Sequence, residues 1–245
     1  MQFWKTGRKS LARSINLDLT HAQCHYARFL ESRVTSGIQW LEVGCGHQIV
    51  PDWAMSSDEQ RKLVNRCASL TGIDLDPAIA NHSLLTHKVF AVAGSLPFGD
   101  AAFDLVSANV VVEHVEDCTG FLADIHRVLK PGGRFVFHTP NYWYYLIFAA
   151  SFIPDRLKGK MVWLLEKRSE EDRFQTQYRM NTIPQIRRLA NIAGFEVEDL
   201  RAVGSIGSFG GLGPIGWVEC FTLKLTASLG GGMLNSNLLC SLRKR

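Results

Sequence analysis

The chain has 245 residues, 46% of them hydrophobic, enough to bury a substantial core as one large α/β domain or two small ones. A formal net charge of +4 is too mild to imply nucleic acid, so no nucleic-acid partner is expected. The six cysteines, at 24, 45, 67, 118, 220 and 240, form no CxxC pair and no metal-ligand spacing, which excludes a disulfide scaffold or a zinc module and suits reduced thiols in a cytoplasmic protein.

Residues 1–16 make a basic arm. Lys5, Arg8, Lys9 and Arg13 precede the first acid, Asp18, and stand beside Phe3 and Trp4. Such an arm reads either as a solvated tail or as a contact with an anionic surface. No apolar core segment follows it, so it does not read as a signal peptide. Residues 17–245 read as one domain, because helical and strand patterns alternate from Leu17 to Leu200.

Leu17 to Val34 reads as an amphipathic helix, with Leu19, Tyr26, Phe29, Leu30 and Arg33 on one face. His21 and His25 lie one turn apart on it, with no third ligand nearby to make a metal site. A buried strand follows at Gln39–Val43 and ends in Glu42-Val43-Gly44-Cys45-Gly46. Gly44 can take positive φ, and Gly46 lets a ligand approach the backbone closely. A loop, His47–Ser57, leads to a helix from Asp58 to Cys67 capped by Ser56 or Ser57. A second strand, Leu70–Asp74, also closes on a carboxylate. A glycine turn after one strand and an acid ending the next suit a ribose-bearing ligand, a nucleoside cofactor.

Pro77 opens a helix continuing to Leu85, and a third strand is expected at Val89–Ala93. Phe103–Asn109 reads as the fourth strand, apolar on both faces, and Phe121–Leu129 as a helix. Lys130-Pro131-Gly132-Gly133 stops that helix and turns into a fifth strand, Arg134–His138, whose histidine is expected to be buried and hydrogen-bonded. The last strand candidates are Phe195–Val203 and Leu238–Leu242.

The order of these signals, with Leu96-Pro97-Phe98, Glu113-His114-Val115 and Thr139-Pro140-Asn141 among them, resembles class I S-adenosylmethionine-dependent methyltransferases. The nearest branch is the small-molecule enzymes described as type 11 or ubiquinone-biosynthesis-like. The resemblance is dense over residues 17–141 and loose over 173–203. It implies a doubly wound, Rossmann-like α/β sheet of seven strands, mostly parallel with an antiparallel last strand and helices on both faces. It also implies S-adenosylmethionine as cofactor.

On the same resemblance, Gly44, Cys45 and Gly46 let backbone approach the methionine moiety, and Glu42 orients that turn or holds the α-ammonium. Asp74 accepts from the ribose hydroxyls, Leu75 packs on adenine, Ser95 and Leu96 meet the adenine edge, and Asn109 faces the methionine end. Where many relatives carry an acid shortly before Leu-Pro-Phe, this chain has Val92-Ala93-Gly94-Ser95. Either Ser95 substitutes for that acid, or adenine is held by backbone and packing. His114 is the candidate general base for an acceptor hydroxyl; alternatively it fixes its loop, or binds a divalent ion together with Glu113. No metal is expected.

Two inserts, 142–182 and 204–236, follow the fifth and sixth strands and rise from the rim where an open α/β sheet binds ligands. The first is aromatic (Tyr142, Trp143, Tyr144, Tyr145, Phe148, Phe152) and suits a lid, an apolar acceptor pocket, or a peripheral membrane contact through 142–153. Arg173, Gln177, Tyr178, Arg179 and Asn181 are candidate polar contacts to a glycan or phosphate. The second insert is glycine-rich and reads as a flap. The expected reaction is methyl transfer to a small-molecule, lipid-linked or saccharide acceptor, at oxygen. The rivals are a nicotinamide-dependent oxidoreductase, which would want a third glycine opening a helix, and a methyltransferase-like scaffold working through a protein partner. The sequence specifies no oligomeric state.

Overall fold

The computed structural model describes residues 20–144, 176–204, 221 and 235–245. The basic arm, residues 145–175 of the aromatic insert and nearly all of the glycine-rich insert lie outside the described residues, and so does most of the segment expected to touch a membrane.

Seven strands, β1 (Gln39–Val43), β2 (Ser69–Asp74), β3 (His87–Phe90), β4 (Phe103–Asn109), β5 (Leu129–Pro140), β6 (Phe195–Val203) and β7 (Asn237–Lys244), form one sheet in the order β3-β2-β1-β4-β5-β7-β6. β1 through β5 pair in parallel, and β7 runs antiparallel to both β5 and β6. The expected mixed sheet is therefore present. Among the described residues, four helices flank it: α1 (Ala22–Glu31), α2 (Ser57–Val64), α3 (Cys118–Val128) and α4 (Ile183–Ile192).

Alternation along the strands builds two cores. Leu41, Val43, Val106, Phe135 and Phe137 face one side, against Phe121 and Ile125 of α3 and Ile186 and Leu189 of α4. Trp40, Leu70, Leu105 and Val136 face the other, against Tyr26, Phe29 and Leu30 of α1 and Leu63 of α2. Central parallel strands covered on both faces need continuous apolar runs, which is why β1 and β4 read so clearly in the sequence. The chain winds outward through β1, β2 and β3, then returns to the other side of β1 as β4. The switch point between β1 and β4 opens a crevice at their carboxyl ends.

Several boundaries differ from expectation. α1 starts at Ala22, where His21 caps it by accepting from the Gln23 amide (3.1 Å). α2 starts one residue early and ends at Val64; Ser56 and Glu59 form a capping box. Pro77–Asn81 is a 3₁₀ turn only. β3 lies two residues earlier than predicted and is largely exposed, so it carries no apolar period. The turn Lys130–Gly133 sits inside β5: Leu129 pairs with Phe103 and Arg134 with Leu105, and the surplus residues bulge out, with Gly132 at φ +77°. No helix among the described residues is long and apolar enough to cross a membrane.

Candidate functional site

The glycine turn is built by β2. The amides of Gly44 and Cys45 both donate to the Ile73 carbonyl (2.9 and 3.2 Å), which folds the chain over the end of β2. That fold requires positive φ at Gly44 (+66°) and Gly46 (+49°). A Cβ on Gly44 would sit 2.4 Å from Val111 Cγ2, whereas a Cβ on Gly46 would meet nothing within 4 Å. Asp74 then locks the turn. One carboxylate oxygen accepts from the Gly46 amide (2.7 Å), the other from the Asp76 amide (2.8 Å).

These residues form one edge of a cleft of about 670 Å³. Its walls are Gly44 and Ile73–Leu75 from β1 and β2, Ala91–Ser95 after β3, Val110, Val111 and His114–Asp117 after β4, and Gly120 and Phe121 of α3. Leu75 is 42% exposed and Val92 53%. Two bare aliphatic side chains on a mostly apolar cleft suit a flat apolar ring system. On the same cleft, Asp74 has spent two of its roughly four acceptor positions, leaving about two for paired hydroxyls.

Of the ten residues expected at the site, Gly44, Asp74, Leu75, Ser95 and His114 line this cleft, and Gly46 adjoins it through its bond to Asp74. Four lie off its wall. Glu42 is buried between strands: its register partner on β4, Ser107, donates to its carboxylate, and Trp40 Nε1 donates to Ser107 (2.5 Å). Burial pushes the Glu42 carboxyl up to about 8, so it is largely neutral at pH 7 and suits orienting the turn rather than pairing with an ammonium. Cys45 is turned into the core beside Gly72, and burial pushes its thiol up to about 12. Leu96 is a core residue; its amide donates to Asp124 (2.6 Å) and its carbonyl accepts from Arg127 (3.0 Å). Asn109 is engaged at both ends of its amide, with Gln23 (3.1 and 2.9 Å), Ile49 O (3.2 Å) and His138 Nδ1 (2.9 Å). His138 is buried and hydrogen-bonded as expected, also meeting Asn237 (3.0 Å), and burial lowers it to about 4.

His114 ends a short 3₁₀ turn, Val112–His114, that rises from β4. Glu113 beside it points away from the cleft and is buried. It accepts from Thr139 Oγ1 (3.2 Å), and burial pushes it up to about 7. The segment returning from the aromatic insert docks on this turn. Gln177 and Tyr178 amides donate to the Glu113 carbonyl (2.7 and 3.2 Å), Arg179 to the Glu116 carbonyl (3.0 Å), and Asn181 to Thr139 and Pro140 (2.7 and 3.0 Å). Four of the five residues read above as acceptor contacts thus fasten the insert to the His114 turn and β5; the fifth, Arg173, lies outside the described residues.

Sequence reasoning missed Val110 and Val111. Val110 has φ +59°, a conformation rare for a β-branched residue, and lines the cleft beside Val111, which closes on Gly44. An apolar pair after a strand gives no hint of this strain.

The family model described as "Methyltransferase domain" matches residues 19–200 of this chain. A demethylmenaquinone methyltransferase of Tropheryma whipplei is 34% identical over 109 residues, covering 42% of each chain. A provisionally named S-adenosylmethionine-dependent methyltransferase of Mycolicibacterium smegmatis is 29% identical over 172 residues, 69% of this chain and 56% of that one. The matches therefore span about two fifths to little more than half of those relatives. The crystal structure of an S-adenosylmethionine-dependent methyltransferase from Mesorhizobium loti superposes with a TM-score of 0.57 at 18% identity, over 91% of this chain and 98% of that one, and shares the fold.

Proposed function

This chain belongs to the methyltransferase-domain family, and from that premise we propose that it transfers a methyl group from S-adenosylmethionine to an oxygen of a small-molecule, lipid-linked or saccharide acceptor. The observation that carries the reading is the cleft at the switch point, which Asp74, with acceptor positions to spare, lines together with the exposed Leu75 and Val92. Those residues fit an adenosine: the carboxylate takes the ribose hydroxyls and the aliphatic side chains cover the base. When bound, S-adenosylmethionine supplies a methyl group on a positively charged sulfur. His114, on the same cleft wall, takes the proton from an acceptor hydroxyl. The cleft aligns the reactants and keeps water out, which supplies most of what a direct displacement needs. The aromatic start of the insert, Tyr142 to Tyr144, and the relative named for demethylmenaquinone support an apolar, quinone-like acceptor.

The test is calorimetric titration with S-adenosylhomocysteine, with NAD as control, on wild type, Asp74→Asn and His114→Ala. Micromolar binding of S-adenosylhomocysteine is expected, weakened by roughly 1–3 kcal/mol in Asp74→Asn, the usual cost of a lost hydrogen bond to a buried charged group. His114→Ala should retain affinity within about twofold, since a base for the acceptor is not a cofactor ligand. A scaffold acting through a protein partner is the second reading, favoured by the absence of a carboxylate in the wall Val92–Ser95. No binding to either nucleoside would select it, and binding of NAD alone would select an oxidoreductase.

A further inference from the structure

Resting on the cofactor reading above, we propose that Asp124 and Arg127 are positioning residues. Neither lines the cofactor cleft, yet together they set its width and so the size of base it accepts. The cleft stands between Ala91–Ser95, after β3, and Gly120 and Phe121 of α3. Its width is therefore the spacing between a loop and a helix.

The loop holds itself weakly. Among the described residues, its backbone bonds are long: Ala91 to the Asp74 carbonyl and Ser95 to the Val92 carbonyl, each at 3.3 Å. Gly94 stands at φ +115°, with nothing within 4 Å of where a Cβ would lie. Leu96 and Phe98 pack on the core, but apolar packing is non-directional and leaves the position of the backbone open.

Directly after this wall the chain is pinned to α3. The Leu96 amide donates to Asp124 Oδ2 (2.6 Å), and the Leu96 carbonyl accepts from Arg127 Nη2 (3.0 Å). The Phe98 carbonyl accepts from Arg127 Nη1 (2.6 Å), which also reaches Asp100 (3.1 Å). The two pinning side chains hold each other, since Arg127 Nε and Nη2 both donate to Asp124 Oδ1 (2.9 and 2.5 Å). Such bonds are charge-assisted and, through the planar guanidinium, fixed in direction. Asp124 lies on α3 one turn beyond Gly120 and Phe121. One helix thus carries a cleft wall and, a turn later, the clamp that holds the opposite wall at a set distance from it.

The experiment measures, by calorimetry, binding of S-adenosylhomocysteine and of its derivative with a benzyl group on the 6-amino nitrogen, whose base is larger. Arg127→Lys keeps the charge and loses the forked contacts; Asp124→Asn leaves one oxygen where two are used. Arg134→Gln is the control, because it removes a forked pair with Glu198 that is not on the cleft. Wild type should prefer the smaller ligand by roughly 10-fold or more, as a pocket of fixed size resists added bulk. Arg127→Lys and Asp124→Asn should bind S-adenosylhomocysteine roughly 3- to 10-fold more weakly, because a loose wall must be ordered on binding. Their preference for the smaller ligand should shrink to about threefold or less, a change that lost stability alone would not produce. Arg134→Gln should keep the wild-type affinity and preference. Arg127→Lys and Asp124→Asn proteins that are folded by circular dichroism and retain the full preference overturn the proposal. So does an Arg134→Gln protein that loses the preference as they do, or a wild type that binds both ligands equally. A wild type that binds neither overturns the cofactor reading itself, and the clamp's role falls with it.

Discussion

The buried Glu42 carboxyl makes stability depend on pH in a way one substitution should expose. Its ordinary value of 4.5 is raised to about 8, first by burial and against the opposing pull of Ser107 and Trp40. The folded chain therefore holds the proton more tightly than the unfolded chain does. This contribution is complete below about pH 4.5 and is lost progressively as pH rises through the folded value, so stability falls with pH. At about 1.36 kcal/mol per unit, the wild type should lose roughly 3 kcal/mol between pH 5 and pH 7.5 from this group alone. Glu42→Gln keeps an acceptor for Ser107 but cannot ionise. Urea unfolding of both proteins across that range gives the difference in stability at each pH. Glu113, raised to about 7, titrates in the same window but is present in both proteins and cancels. The difference should shift toward the variant by about 3 kcal/mol as pH rises. A difference that stays flat would refute a neutral, buried Glu42 and return it to the role of an ionised partner for an ammonium.

Gly44→Ala and Gly46→Ala should separate two kinds of glycine. Both have positive φ, but only Gly44 is blocked by Val111. Urea unfolding should show Gly46→Ala costing about 1–2 kcal/mol for the left-handed backbone, with Gly44→Ala costing clearly more and weakening S-adenosylhomocysteine; equal costs would mean that Val111 moves aside freely. Val110→Gly should relieve about 1–3 kcal/mol of backbone strain, less about 0.5–1 kcal/mol for glycine's entropy. A raised thermal midpoint is expected, and a marked fall would show that the valine side chain contributes more by packing than its conformation costs.

Legibility in the sequence followed burial. β1, β4 and β6 were readable to the residue, and β1 and β4 are runs buried on both sides. β3 was misplaced because the apolar signal at Val89–Ala93 belongs partly to the cleft wall: Val92 faces the cleft and not a neighbouring strand. α4 was missed although Thr182 caps it, Pro184 stands in its first turn, and Ile186, Leu189 and Ala190 give it a buried stripe; it lies between an insert and a strand. At the site, the positions of the glycines and Asp74 were legible because the turn needs positive φ and Asp74 accepts from its amide. Glu42, Cys45, Leu96 and Asn109 carry the motif's residue types but spend their polar atoms or side chains on the frame.

The frame and the cleft divide the labour in a way that makes the site rigid before any ligand arrives. Glu42, Ser107 and Trp40 clamp β1 to β4 at the switch point. Asp74 binds the glycine turn to the start of the next loop, and Asp117 anchors its own helix. Asp74 is oriented by backbone amides and still has acceptor positions left, so binding a nucleoside there would order little that is not already ordered, and less affinity is lost to immobilisation. The two sets should therefore respond differently to substitution. Asp74→Asn should lose ligand affinity out of proportion to stability, whereas Glu42→Gln should change the slope of stability with pH and leave ligand affinity nearly untouched. A Glu42→Gln protein that lost S-adenosylhomocysteine as completely as Asp74→Asn would break the division, because it would place a buried residue off the cleft wall in direct service of the ligand.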